Sequence, residues 1–524
     1  MGSYLDPGNE KYEMDINAEI YIDKTGMIQY CNKAIRTPQR YICMSRPRRF
    51  GKSVTANMLV AYYSRGCDSK KLFSGYKIAK TKKYAEHLNQ YHVIFINMQE
   101  FLSQSKNMDE MLNLLRKSIL WDLLEEYPDF RYFDDTNLMR TMQDVYNKTK
   151  IPFIIIIDEW DCIFREYKMD TDAQRQYLDF LRDMMKDKGY IALAYMTGIL
   201  PIKKYGTHSA LNMFDEFSMT FAGPFAEYVG FTEKEVKSLC EQYHMDFEET
   251  KKWYDGYYLE GVGSVYNPRS VVCAMQFRKF RYYWNQTETF EALRLYIDMN
   301  FEGLRDDIIN MMNGENRIAV DIHSFTNDMV TFHSKDDVLT LLVHLGYLGY
   351  LSETAEVFIP NHEILNEYIT AVSNSDWGEV SKALKNSRNA LEAVWNKNEV
   401  LVAEAVSEAH YETSHLQYND ENALSYTISL AFYVARNFYT VYRELPTGKG
   451  YADLVYLPRK KFADKPALVI ELKWDQSTNG AIGQIKKKEY CKSLEDYQGS
   501  LLLVGVNYDK TTRVHECKIE EWVK

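Results

Sequence analysis

The stretch Ser45–Ser53 reads SRPRRFGKS, and its close, Gly51-Lys52-Ser53, matches the end of the phosphate-loop pattern G-x-x-x-x-G-K-[ST]. A short apolar run precedes it and a helical pattern, TANMLVAYYS, follows it, which is the context such a loop needs. Backbone N–H groups at the start of that helix would cradle phosphate oxygens, with Arg49, Phe50, Gly51 and Val54 flanking Lys52 and Ser53. Lys52 would reach the β- and γ-phosphates of a nucleotide, and the Ser53 hydroxyl would ligate Mg²⁺. One position departs from the pattern: its first glycine is Arg46 here, a residue that disfavours the positive φ a glycine supplies. A second stretch, IIIIDEWD, sets Asp158 and Glu159 directly after a hydrophobic run. That order suits a Walker B pair, in which Asp158 holds Mg²⁺ through water and Glu159 is the general base for the attacking water. A third run, IALAYMTG, brings Thr197 to a strand end as a γ-phosphate contact. On a blander view Asp158 and Glu159 only cap a helix. The order of the GKS and DE elements on strand ends, where α/β folds build ligand sites, argues against it.

A second constellation lies near the C-terminus. Gly450-Tyr451-Ala452-Asp453 is followed by Ile470-Glu471-Leu472-Lys473. Glu471 and Lys473 are two apart on an expected strand and so share a face. A hairpin centred on residue 462 would set Asp453 opposite Glu471, with Cβ atoms about 4.5–5.5 Å apart. Two carboxylates that close repel unless a cation lies between them, and Lys473 beside them would hold an attacking water or stabilise phosphoryl charge. This is the D…E-x-K layout of PD-(D/E)XK nucleases, which use Mg²⁺ (Mn²⁺ as a substitute) to hydrolyse phosphodiesters. Glu421 at the start of the preceding helix would add a carboxylate, and Gln484 on the following helix would orient the site. Lys449, Lys486, Lys487 and Lys488 suit a phosphate backbone. A bare E-x-K is usually a solvated strand face, but the apolar Leu468–Ile470 before it marks a buried strand.

The elements that must position these groups are legible in outline. Tyr41–Ser45, Val93–Met98, Pro152–Ile157 and Ile191–Met196 are short apolar runs separated by helical patterns, as for buried parallel strands of an α/β domain. Met108–Leu124 carries a helical stripe through Met111, Leu114, Leu115, Ile119 and Leu123. From about 230 helices dominate, opening with a capping box at Thr232 and Glu235, and interrupted by extended pieces at Ser264–Tyr266 and Glu356–Ile359. The last hundred residues predict a helix over Ala423–Phe438, strands at Ala452–Leu457, Ala467–Trp474 and Ser500–Val506, and a helix near Ala481–Leu494. The domains so drawn are 1–228, a P-loop α/β domain; 229–415, mainly helical and connecting; and 416–524, a second α/β domain.

The 524 residues are 46% hydrophobic and 26% charged, which excludes global disorder. The net charge of −11 excludes a uniformly basic nucleic-acid coat. From Glu421 onward, however, 16 Lys and Arg stand against 13 Asp and Glu, so the tail is electrostatically distinct. Eight scattered cysteines, with no C-x-x-C pair, fit a reducing compartment. No apolar signal core opens the chain and no stretch approaches the ~20 residues that span a bilayer. The expectation is a soluble cytoplasmic protein without a membrane partner.

Taken together, these residues resemble a bacterial family that fuses an AAA-ATPase-like domain to a C-terminal PD-(D/E)XK nuclease-like domain. YIDKT (Tyr21–Thr25), RPRRFGKS (Arg46–Ser53), IDEWD (Ile157–Asp161), GFTEKEV (Gly230–Val236), WYDGY (Trp253–Tyr257), VYNPRS (Val265–Ser270) and IPN (Ile359–Asn361) stand in the family order, as do the stretches around Asp453 and Glu471. The resemblance implies ATP and Mg²⁺ at the first site, nucleic acid, DNA in preference to RNA, at the second, and a homo-oligomer as the plausible assembly. It removes the objection to Arg46, since the family lacks that glycine too. It raises another at Tyr451, where the family usually has a basic residue. It also sets Asp23 and Lys24 near the nucleotide, without a chemical reason from the residues.

Other features read as structural. Asp255-Gly256 in WYDGY is a turn packed by aromatics, with a nucleotide- or partner-sensing role as the alternative, and Asn267-Pro268 is a turn and helix start. His208, His323, His333 and His344 show no ligand spacing. Arg165, Arg175 and Arg182 follow the Asp158-Glu159 pair, and any of them would serve as an arginine finger. The leading functional expectation is a nucleotide-regulated nuclease. The alternatives are an ATP-dependent switch that grips nucleic acid or a partner without cutting it, and an ATPase whose tail is an interaction domain.

Overall fold

A computed structural model describes residues 2–202, 211–284, 293, 303–312, 317–326, 332–373, 378–412, 428, 431–432, 435, 438–447, 450–458, 462–474, 477–487, 499–509, 512 and 514–522. Within these, side chains are described except at 306, 372–373, 378–385, 410–412, 443–447, 450–453, 474 and 487. The chain divides into two compact units, residues 1–312 with 317–368, and residues 369–524 with 313–316.

The first unit is built on five strands: β1 (Tyr41–Ser45), β2 (His92–Asn97), β3 (Phe153–Asp158), β4 (Ile191–Gly198) and β5 (Asp215–Phe217). They pair in parallel in the order β2-β3-β4-β1-β5. Every residue of β1, β3 and β4 is buried, which explains why the sequence shows continuous apolar runs rather than alternation: helices cover both faces. The four expected strands are present. β5 was not expected, because DEF lacks an apolar run and lies at the sheet edge.

The remainder of this unit is helical with two small antiparallel sheets. One contains β6 (Phe231–Thr232), β7 (Tyr257–Leu259) and β8 (Gly263–Tyr266) in the order β6-β8-β7. The other contains β9 (Ile318–Ala319), β10 (Gly349–Leu351) and β11 (Glu356–Phe358) in the order β10-β11-β9. The extended pieces expected at 264–266 and 356–359 are β8 and β11; their two- and three-residue partners are too short for a period to register. The capping box is formed: Thr232 accepts from Glu235 N at 3.4 Å and the Glu235 carboxylate accepts from Thr232 N at 2.8 Å. Asn267 caps the helix Pro268–Phe277 by accepting from Ser270 N at 3.2 Å.

The WYDGY turn is pinned by the IPN segment. Gly256 has φ +105°, and a Cβ there would stand 2.1 Å from the Pro360 carbonyl oxygen, while Asn361 Nδ2 donates to Asp255 O at 2.7 Å. Nearby, Glu363 is buried in the first turn of the helix His362–Ser373 and accepts from Tyr283 N (2.5 Å), Trp284 N (2.8 Å) and Ser270 Oγ (2.7 Å). Burial pushes its carboxyl up to about 7 against these bonds, which favour the charged form.

The second unit carries one five-stranded sheet: β12 (Tyr439–Thr447), β13 (Gly450–Pro458), β14 (Ala467–Trp474), β15 (Leu501–Asp509) and β16 (Val514–Trp522), in that spatial order. Only β14 and β15 run parallel; the other neighbours are antiparallel. Both faces are covered. Leu468, Ile470 and Leu472 pack with Val394, Val402 and Val406 from the helices Gly378–Trp395 and Glu399–Glu412. Ala467 and Val469 pack with Ile482 and Ile485 from the helix Thr478–Lys487. These first two helices therefore fall within the second compact unit. Most of the helix expected over 423–438 lies outside the described residues.

Two tests follow from this architecture. Gly256→Ala forces a side chain into the left-handed region and onto a backbone oxygen, and is expected to cost more than about 2 kcal/mol, read as a fall of several degrees in the thermal midpoint. Glu363 binds its proton more tightly folded than unfolded, so its contribution to stability falls as pH rises from its ordinary value of 4.5 through about 7. Glu363→Gln removes that slope; the unfolding free energy of the variant relative to wild type rises between pH 5 and pH 8, by at most about 3 kcal/mol.

Candidate nucleotide and phosphodiester sites

The loop after β1 and the end of β3 meet across a cavity of about 850 Å³. Arg49, Phe50, Gly51, Lys52, Ser53 and Val54 all line it, as does Glu159. Ser53 Oγ donates to Asp158 Oδ2 at 2.7 Å, which ties the loop to the strand end. Lys52 is buried, and its Nζ donates to the carbonyls of Arg46 (3.0 Å) and Pro47 (2.9 Å), so the loop folds around the ammonium. Burial pulls the Lys52 ammonium down from its ordinary value, opposed by Glu159 and Asp158. Burial raises the Asp158 carboxyl, opposed by the Ser53 hydrogen bond. A buried lysine and a buried carboxylate, each disfavoured as charged groups, suit a polyanion paired with a divalent cation. Ser53 and Asp158 offer hard oxygen donors of the kind Mg²⁺ takes, in a site that leaves its other positions to phosphate and water.

Arg46 resolves differently from the sequence argument. The left-handed residues of the loop are Arg49 (φ +67°) and Gly51 (φ +91°), not Arg46. Arg46 is instead fully buried, with Nη1 donating to Ser45 O (2.8 Å) and to Phe217 O of β5 (3.2 Å). Its position therefore needs no glycine. Thr197 is the neighbour of Asp158 in the β3–β4 register and is buried; it does not line the cavity.

Residues outside the two motifs complete the walls. Met14, Ile20, Met58 and Val272 are apolar, Tyr228 adds a ring, and Arg269 brings a guanidinium from the helix Pro268–Phe277. Sequence reasoning missed them because they come from scattered segments without a spacing rule; VYNPRS was the one pointer to Arg269. Lys24 lines the cavity, but its Nζ is engaged with Glu235 (2.6 Å) and Glu227 O (2.6 Å), while Asp23 accepts from Thr25 and from Lys77 N. The phosphate loop is also tied to the small β6–β8 sheet region. Phe50 packs edge-on against Tyr257 at 5.2 Å, Tyr257 Oη donates to Gly346 O at 2.7 Å, and Asn267 Nδ2 donates to Arg48 O at 3.3 Å.

In the second unit, β13 and β14 pair Leu454 with Ile470, Val455 with Val469 and Tyr456 with Leu468, the register of a hairpin centred on residue 462. One more step of that register sets position 453 across from Glu471. The side chain of Asp453 lies outside the described residues, as do Glu421, Lys488 and the side chains of Lys449, Tyr451 and Lys487. Glu471 is 1% exposed, and its Oε1 accepts from Lys473 Nζ at 3.2 Å and from Gln484 Nε2. On β15, Gly505 pairs with Glu471 and the buried Asn507 with Lys473, two neighbours that the apolar run LLLVGVN did not single out. A Cβ at Gly505 would stand 2.9 Å from Thr478 O, so the glycine lets the helix that carries Gln484 close onto the strands. Lys486 is engaged with Glu520 at 2.5 Å. Among the described residues no three His, Cys, Asp or Glu side chains gather as a metal cage, and no helix is long and apolar enough to cross a membrane.

Two segments of the chain match known protein families. Residues 10–207 match the family described as "Predicted AAA-ATPase", and residues 420–518 match the PD-(D/E)XK nuclease superfamily. Over 277 residues the chain is 24% identical to an uncharacterized protein in the vnfD 5′ region of Azotobacter chroococcum mcd 1, an alignment that spans 51% of each chain. Among solved structures it is similar to the Aeropyrum pernix ORC2 protein in ADPNP–ADP complexes, with 13% identity, a TM-score of 0.31, and coverage of 68% of this chain and 98% of that one. It is also similar to the Aeropyrum pernix ORC1 protein in complex with DNA, with 9% identity, a TM-score of 0.23, and coverage of 100% and 95%. One chain thus carries a segment that matches a predicted AAA-ATPase and, C-terminal to it, a segment that matches the PD-(D/E)XK nuclease superfamily.

Proposed function

We propose that the protein binds and hydrolyses ATP at the cavity of its first unit and that ATP regulates a Mg²⁺-dependent nuclease in its second, acting on DNA. The observation that carries the ATP site is the Ser53–Asp158 hydrogen bond, which ties a buried carboxylate to a loop whose Ser53 and buried Lys52 line an 850 Å³ cavity. In this reading the backbone of Arg49–Val54 and Lys52 hold phosphate oxygens, and Ser53 and Asp158 hold the cation. Glu159 takes the proton of the attacking water, and Arg269 adds positive charge to the cavity lining, while Thr197, expected as a γ-phosphate contact, lies beside Asp158 in the register and outside that lining. The apolar wall of Met14, Ile20 and Val272 receives the base. Bound Mg²⁺ neutralises phosphate charge.

At the second site Glu471 and Asp453 hold the cation, with Glu421 as an additional carboxylate. Lys473 orients water or stabilises phosphoryl charge, and Gln484 fixes Glu471. The support is the β13–β14 register and the burial of Glu471 with Lys473 and Gln484 around one oxygen. The domain limits 1–228, 229–415 and 416–524 belong to the same proposal, as does assembly into a homo-oligomer. Cytoplasmic residence is supported by the seven described cysteines, all of them free.

Lys52→Ala is expected to abolish ATP binding measurable with a fluorescent analogue, and Ser53→Ala to weaken it only when Mg²⁺ is present. For the second site, cleavage of linear and supercoiled DNA with Mg²⁺ or Mn²⁺ is compared among wild type, Asp453→Ala and Lys473→Ala. Losses of at least about 100-fold in both variants are expected, and equal cleavage in all three removes the assignment. Retention of DNA by wild type with no cutting under either metal selects the switch that grips without cleaving.

A further inference from the structure

Three arginines follow the Asp158-Glu159 pair in sequence, and their surroundings differ. Arg175 is 69% exposed and pairs with Asp172 one turn away; Arg182 is 39% exposed and pairs with Asp179 and Asp183 on its own helix. Arg165 is 13% exposed, stands on the short helix Cys162–Glu166 and lines the cavity together with Glu159. Its Nη2 donates to the Glu159 carboxylate, and its Nε lies 3.6 Å from Asp161 Oδ2. Asp161 is itself fixed, since Oδ2 accepts from the backbone N–H groups of Ile199 (3.1 Å) and Leu200 (2.9 Å) just beyond β4. Glu159 has φ +54°, and its N–H donates to Asp158 Oδ1 at 3.0 Å. The guanidinium thus bridges a carboxylate anchored to the end of β4 and the carboxylate at the phosphate end of the cavity.

We propose that Arg165 is a positioning residue that acts within its own chain: it holds the Glu159 carboxylate in one pose beside the phosphate loop and does not reach into a neighbour's site as an arginine finger. A glutamate side chain has several rotamers of similar energy, and a base is effective only in the one that meets the attacking water. A planar guanidinium hydrogen-bonded to Glu159 and held beside the anchored charge of Asp161 removes that freedom. A lysine supplies a point charge on a flexible stem, without the planar arrangement of donors. The inference rests on the reading of the cavity as an ATP site and adds the residue that orients its base.

The test uses the full chain. Arg165→Ala is expected to lower kcat for ATP hydrolysis at least about tenfold, while KM and the Kd of a fluorescent non-hydrolysable ATP analogue stay within about threefold of wild type. Arg165→Lys is expected to recover part of kcat and to keep the wild-type unfolding midpoint, which separates positioning from folding. In a Glu159→Gln background, Arg165→Ala is expected to cost nothing further, because the group it positions is gone. Mixing Arg165→Ala subunits with Lys52→Ala subunits is expected to give no activity beyond that of the separate proteins. Recovery on mixing overturns the proposal, because it makes Arg165 act between chains; so does a wild-type kcat in Arg165→Ala. A wild type that binds no ATP analogue overturns the ATP site and the proposal together.

Discussion

The hydrogen bond from Ser53 to Asp158 joins two parts of the chain 105 residues apart, and it exists only because β1 and β3 end at the same level of a parallel sheet. In the order β2-β3-β4-β1-β5 these strands flank β4, so the loop after β1 and the acids after β3 face each other across the end of β4. At that edge the ladder runs out and polar groups can emerge from an otherwise fully buried sheet. The same logic recurs in the second unit. Leu468, Ile470 and Leu472 fill one face of β14, while Ala467 and Val469 fill the other and lead to Glu471 and Lys473. In both units the charged groups are costly to bury and are kept in place by the apolar strand that precedes them.

What surrounds the first site is a set of mutual restraints. Lys52 closes the loop on its own carbonyls, Arg46 fastens the loop's root to β5, and Asn267 and Tyr257 hold its outer side. Glu363 anchors the segment at Tyr283 and Trp284 to the helix that starts beside Asn361, so the motifs WYDGY, VYNPRS and IPN form one packed region next to the loop. Their aromatic and turn residues are thus related to the phosphate loop by contact.

How much of this the sequence disclosed depends on the range of the signal. The strands of the first sheet were legible because a strand covered on both faces is a run of apolar residues, as in FIIIID. The capping box at Thr232 and the cap at Asn267 were legible because each is a local pattern closed within three residues. The β13–β14 register was legible because one turn and a period of two leave few alternatives. By contrast, β5, β7 and β10 are three residues long and owe their existence to neighbours distant in sequence. The inward course of Arg46 was hidden for a related reason: a motif names the residue at each position but not the carbonyls of β5 that would receive it. Met14, Tyr228 and Arg269 reach the cavity through the tertiary fold alone.

Asn267 uses both ends of one amide, the oxygen on the first turn of its own helix at Ser270 N and the nitrogen on the backbone of the loop at Arg48 O. The loop backbone and the head of the helix Pro268–Phe277 thus share one amide as their link.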